Sequence, residues 1–158
     1  MKNTIYFFIA CLIITNIHAQ SIQWARSGGE IERDAGRAVC TDKDGNVIVA
    51  GYFSGKVVFD TLYQGRGTDD AFIAKFNEFG DLLWVQTAGG FLEDAAYGVD
   101  TDAEGNIYVT GEFDSLIIFG TKVLFSAGGK DAFIAKYNSN GDFIWAQRAG
   151  GTGYDGSN

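Results

Sequence analysis

The segment DAFIAK stands at Asp70 to Lys75 and again at Asp131 to Lys136. Each copy runs on through an aromatic residue into the same signature, Asn77-x-x-Gly80-Asp81-x-x-Trp84 in one case and Asn138-x-x-Gly141-Asp142-x-x-Trp145 in the other. Upstream of each copy, Asp42 to Phe53 (DKDGNVIVAGYF) matches Asp102 to Phe113 (DAEGNIYVTGEF). Trp24, Trp84 and Trp145 keep the register, each followed by a Gly pair (Gly28-Gly29, Gly89-Gly90, Gly150-Gly151) and then an acid at Asp34, Asp94 or Asp155. A chain that copies itself about every 60 residues takes its fold from the stacking of one unit on the next.

Each unit reads as four short strands separated by turn residues. The first covers Ala35 to Asp42, or Ala95 to Asp102, and is rich in small residues. The second covers Asn46 to Phe53, or Asn106 to Phe113, entered through a turn where Gly45 or Gly105 can take positive φ. The third is DAFIAK, and the fourth carries the Trp, as in Asp81 to Thr87. An extra hairpin is expected between the second and third strands, since Ile117 to Phe119 and Val123 to Phe125 flank a Gly-Thr-Lys turn. Phe72, Ala74 and Phe76 alternate with Ala71 and Ile73, so both faces of the sheet are apolar and both must be covered. The expected fold is therefore all-β, with four-stranded antiparallel blades stacked face to face as in a β-propeller and the small-residue strand nearest the axis. A parallel β-helix is the competing repeat fold, but its coils are much shorter than this unit.

The ordered combination of Asp-x-x-Gly-Asn at 42 to 46 and 102 to 106, DAFIAK, and Asn-x-x-Gly-Asp-x-x-Trp resembles the bacterial propeller repeat called SBBP, found in tandem in secreted and surface proteins. The resemblance covers Trp24 onward. It implies an extracellular propeller with no general enzymatic activity assigned to the repeat; relatives often add further repeats and a C-terminal sorting domain for type IX secretion. On this reading, residues 20–29 form the outer strand of a flanking blade, 30–90 and 91–151 two full repeats, and 152–158 the start of a third. Closed propellers need roughly four to eight blades, so the chain reads as an N-terminal fragment of an incomplete ring. Ser21 to Ser27 is expected to complete the last blade of the intact ring, and the lone fragment is expected to be poorly stable or self-associating, because its end faces are apolar.

Residues 1–19 read as a secretory signal peptide: Lys2, an apolar run from Ile5 to Ile14, and Ile17 and Ala19 at −3 and −1 of a cleavage site before Gln20. The run is too short to favour a membrane anchor, and the competing lipoprotein reading would acylate Cys11. Cleavage removes Cys11 and His18, the only His, leaving Cys40 as the single cysteine, so no intrachain disulfide can form. Without His, no Ser-His-Asp triad, Cys-His pair or His-ligated zinc site can be built from the mature residues. The formal charge is −8, and −9 once Lys2 is lost, which disfavours nucleic acid and anionic membranes as partners.

Several residues carry both a chemical and a structural reading. Asp42, Asp44 and Asn46 alternate as calcium ligands do, but the loop is short and Glu104 replaces Asp44 in the second copy, which favours a hairpin turn. Asp69-Asp70 and Glu93-Asp94 resemble paired glycosidase acids, yet Asp70, Asp94 and Asp131 recur in the repeat and are expected to cap turns through backbone N–H groups. Trp84 and Trp145 could stack on a sugar ring; their register favours docking between blades. Gly-Asp-x-x-Trp also resembles the docking motif of quinoprotein dehydrogenases, whose adjacent Cys pair is missing. Cys40 reads as a small inner-strand residue matching Asp100. The sequence thus predicts a secreted scaffold or binding module for a protein or glycan, without cofactor, metal or identifiable catalytic residues, in which the regular repeat is broken by no unique polar cluster. The alternative is a glycan hydrolase or quinone-dependent dehydrogenase whose site lies in other blades.

Overall fold

The computed structural model describes residues 22–155. The signal peptide, Cys11, His18 and residues 156–158 lie outside the described residues. No helix is formed among the described residues, and the ten strands are β1 (Asp34–Thr41), β2 (Val47–Val58), β3 (Leu62–Phe76), β4 (Leu82–Ala88), β5 (Asp94–Thr101), β6 (Ile107–Phe113), β7 (Leu116–Phe119), β8 (Lys122–Phe125), β9 (Asp131–Tyr137) and β10 (Phe143–Ala149). Two antiparallel four-stranded sheets result, in the orders β1-β2-β3-β4 (blade 1) and β5-β6-β9-β10 (blade 2), with β7 and β8 as a separate hairpin. These are partial propeller blades, and the predicted strands, the extra hairpin at Ile117 to Phe119 and Val123 to Phe125 included, agree with them to within a residue or two, apart from the longer β2 and β3 of blade 1. In blade 1 that hairpin continues β2 and β3 past a bulge between Ser54 and Lys56, pairing Lys56 with Gln64. In blade 2 it breaks away at Asp114-Ser115, where Ser115 takes φ 64°, and Ile118 N–H donates back to Gly89 O at the end of β4, 3.2 Å away.

Strand alternation divides the core in two. One face of blade 1, with Ile48, Ala50, Ala71 and Ile73, packs against Ile107, Val109, Phe133 and Tyr137 of blade 2. The opposite face of blade 1 carries Phe53, Phe72, Ala74 and Phe76, partly covered by Trp24 and Phe59. The inner strands β1 and β5 lie side by side across the seam, where Thr101 Oγ1 donates to Thr41 O at 3.3 Å.

Trp84 locks the seam from outside, as its repeat register predicted. Its Nε1–H donates to Ser139 O of blade 2 at 3.2 Å, and its ring lies over Gly141, where a Cβ would sit 2.8 Å from it. That residue is held at φ 85°, so the Asn-x-x-Gly-Asp turn needs Gly for both its backbone and its bare surface. Trp24 repeats the contact on blade 1, donating to Glu78 O at 3.0 Å over Gly80. Residues 22–29, the described part of the outer strand expected at 20–29, form no strand; Gly29 N–H alone reaches β2, donating to Val58 O at 3.1 Å.

Candidate functional site

The framework turns absorb most of the residues singled out as chemical candidates. Asp42 Oδ1 accepts the backbone N–H groups of Asp44 and Asn46 at 3.0 and 2.9 Å, and its Oδ2 faces Lys75 Nζ at 2.9 Å. Burial pushes this carboxyl up, but bonds from Asn46, Lys75 and the backbone outweigh it and hold it at about 2. Asp102 repeats the arrangement with Asn106 and is also held at about 2, chiefly by the Asn106 side chain. The Asp42 carboxylate of the would-be calcium loop is thus committed to a hairpin cap, and the Asp44 oxygens bond the Lys43 ammonium at 2.9 Å. Asp70 accepts from Arg66 and Gly67 N–H at 2.9 and 3.1 Å, Asp94 from Gly90 N–H at 2.6 Å and Asp131 from Ala127 N–H at 2.9 Å. Cys40 is half-buried in β1, and burial, then the charges of Asp100 and Asp42, raises its thiol pKa.

Alternation separates the imagined acid pairs. Asp70 and Asp94 turn into the seam, whereas Asp69 and Glu93 turn to its mouth, where the two strands meet in a parallel bridge. There they join a cleft of about 220 Å³ lined by Arg33, Arg37, Tyr52, Tyr97 and Lys130. Arg33 bonds Asp69, which also accepts from Ser54 Oγ. Arg33 and Arg37 each hold their guanidinium carbon 5.2 Å from the Tyr52 ring centroid, and Arg37 donates to Tyr52 Oη at 3.1 Å. On the blade 2 side, Lys130 Nζ donates to Glu93 Oε2 at 3.0 Å and Glu112 Oε1 at 2.8 Å. Glu112 also accepts from Tyr97 Oη at 3.2 Å and Tyr154 Oη at 3.1 Å.

Electrostatics keep this network charged. The Asp69 hydrogen bond raises the Arg33 pKa. Burial works against the Lys130 ammonium, but its bonds to Glu112 and Glu93 outweigh that and raise its pKa. Burial and the Glu112 carboxylate raise the Tyr97 phenol, which stays a neutral donor.

Two bulges aim the cleft. The β1–β2 register slips between Gly36 and Ala38, and the β5–β6 register between Ala96 and Gly98. Arg37 and Tyr97 are the extra residues, and a bulge re-aims the side chain it carries.

The expectation that no unique polar cluster breaks the repeat is overturned here. Arg33 aligns with Glu93 and Tyr154, Arg37 with Tyr97, Tyr52 with Glu112, and Asp69 with Lys130. Every charged or phenolic position of the cleft therefore differs between copies, while the turn and seam positions (Asp42, Asp70, Trp84) are the same in both. The signal was present in the sequence as disagreement between aligned repeats; reading only their agreement hid it.

The fold and cleft together define an all-β chain of stacked propeller-type blades with a polar cleft at one end of the seam. No protein-family model matches the chain. It is 27% identical over 157 residues to an uncharacterised WD repeat-containing protein of Acanthamoeba polyphaga mimivirus, a match covering 79% of this chain and 11% of that protein. This likeness supports a β-propeller-like repeat protein, of the kind that serves as a scaffold or binding module.

Proposed function

We propose that the chain is part of a secreted or surface-bound propeller of the SBBP type, which uses its blades as a scaffold and the cleft from Arg33 to Lys130 as a binding site. One observation carries the reading: every charged or phenolic position of a single cleft differs between the repeats, while the turn and seam positions around it are kept. A propeller reuses its framework residues for packing, and the loops and rims of a rigid scaffold are where binding residues gather. The leader at residues 1–19 supports export. Among the described residues no helix is long and apolar enough to cross a membrane.

Arrays of glycans and peptides test the binding role. Wild-type chain is expected to retain a ligand that the double variant Arg37→Gln/Tyr97→Ala loses, with melting temperature unchanged because Arg37 is exposed and Tyr97 only half-buried. A ligand held equally well by both proteins would remove the cleft from this role. Export is tested separately by N-terminal sequencing of protein recovered from outside the cell, expected to begin at Gln20.

A further inference from the structure

We infer that the cleft takes one acidic sugar unit, with the sugar's carboxylate on Arg37 and Arg33 and its hydroxyls on Glu93 and Lys130. This inference rests on the cleft being the binding site and adds the ligand's chemical class.

The balance of donors and acceptors points to an anion. Both oxygens of Asp69 are taken, by Ser54 and Arg33, and both of Glu112, by Lys130, Tyr97 and Tyr154. The donors are not used up. A guanidinium offers five N–H groups; Arg37 spends one on Tyr52 Oη and forms no ion pair among the described residues. Arg33 likewise spends one, on Asp69. The Tyr52 ring holds both guanidinium groups in place, so little side-chain freedom is lost on binding. Two pre-set guanidinium forks suit a planar carboxylate, which accepts two parallel N–H bonds from each.

The rest of the cleft selects a sugar over an acidic peptide. Glu93 presents a half-exposed carboxylate whose Oε1 has no partner among the described residues, next to the third donor of Lys130. Hydroxyl groups both donate and accept and so satisfy such a pair. A run of acidic side chains would face Glu93, Glu112 and Asp69 together with a chain charge of −8. The volume, about 220 Å³, is below the roughly 300–1,000 Å³ of pockets for drug-sized ligands, which leaves room for one ring.

Two-dimensional NMR titration of the whole chain with three probes tests this. Methyl glucuronide is expected to shift the Arg37 and Tyr97 signals, and added salt to weaken it. Methyl glucoside, which carries a hydroxymethyl group where the glucuronide has its carboxylate, and a doubly blocked glutamate are expected to bind at least tenfold more weakly. Arg37→Gln is expected to lose tenfold or more in glucuronide affinity at an unchanged melting temperature, and Arg37→Lys to recover only part of it. Absence of glucuronide binding, equal binding of the glucoside or the blocked glutamate, or an indifferent Arg37→Gln each overturns the inference. If the arrays then show another ligand lost in Arg37→Gln/Tyr97→Ala, only the acidic sugar is wrong; if array ligands ignore that variant, the binding reading fails with it.

Discussion

Blade 1 and blade 2 carry the same framework residues at the same repeat positions, yet among the described residues only blade 1 has a neighbour stacked on the face that carries Ile73, Lys75 and Trp84. Ile73 is 4% exposed and its counterpart Ile134 is 37% exposed. Lys75 and Asp42 form a 2.9 Å pair with side chains 5% and 3% exposed, whereas Lys136 and Asp102 stand 3.6 Å apart at 19% and 24%. Trp84 reaches across to a carbonyl of the next blade; Trp145 meets no such carbonyl among the described residues and rests edge-on near Tyr108, 6.4 Å between centroids. The strand, the register and the side chain are local properties, but burial and partnership come from the neighbour. A repeat sequence therefore encodes an interface twice and realises it only where two units meet.

The Trp pair offers the largest contrast. Trp84→Ala removes an aromatic from the seam and leaves Ser139 O with the Lys75 ammonium as its remaining donor, and is expected to destabilise the chain by about 3–5 kcal/mol. Trp145→Ala touches no seam and is expected to cost under about 1 kcal/mol, in the range of ordinary surface changes. Urea unfolding of both variants measures the difference. Equal losses would mean that the Trp stabilises its own sheet and not the junction, which would break the comparison at its strongest point.

The lysines sharpen it. Lys75 Nζ bonds Asp42 within its own blade and Ser139 O, 3.1 Å away, in the next. Lys75→Met strands the buried Asp42 carboxylate and is expected to cost about 3 kcal/mol, the low end for breaking a buried pair, since Asp42 keeps the Asn46 amide and two backbone donors. Lys136→Met, at the same position on the uncovered face, is expected to stay within about 1 kcal/mol. A double variant Asp42→Asn/Lys75→Met that recovers most of the loss would show that the cost lies in the orphaned charge.

How much of this was legible in the sequence follows from the same contrast. Agreement between copies announces whatever every unit must do alone, so the strands, the Gly80 and Gly141 turns and the Asp42 and Asp102 caps could be read directly. The Trp84 junction was readable because Trp and its receiving turn recur one unit apart. The hairpin was harder: Tyr63 to Arg66 and Lys122 to Phe125 share no residue pattern, and whether the segment continues the parent strands or breaks away depends on a bulge at Gly55 in one blade and a turn at Ser115 in the other. The cleft escaped because Arg33, Arg37, Tyr52 and Lys130 lie far apart in sequence and differ between copies. Only the stacking of blades brings them together, and only the bulges at Arg37 and Tyr97 aim them at one another.

The finest test of the seam is its response to pH. Asp94 is wholly buried, its Oδ1 lacks a partner among the described residues, and burial, reinforced by the Asp70 and Asp114 charges, pushes its carboxyl up to about 8 against the Gly90 N–H bond that favours the anion. Its neighbour Asp70, with Arg66 beside it, is also raised, again chiefly by burial. In the unfolded chain an Asp titrates near 3.9. Between about pH 4 and 8 the folded state therefore holds a proton that the unfolded state has released, and stability falls as pH rises through that window, by at most about 1.4 kcal/mol per unit from this group. Asp94→Asn keeps an oxygen for Gly90 N–H and carries no proton to lose. It is expected to flatten the slope between pH 5 and 8 and to exceed wild type in stability at pH 8. Thermal melts across that range read both effects, and a slope unchanged in the variant would show that the seam buries its carboxylate without protonating it.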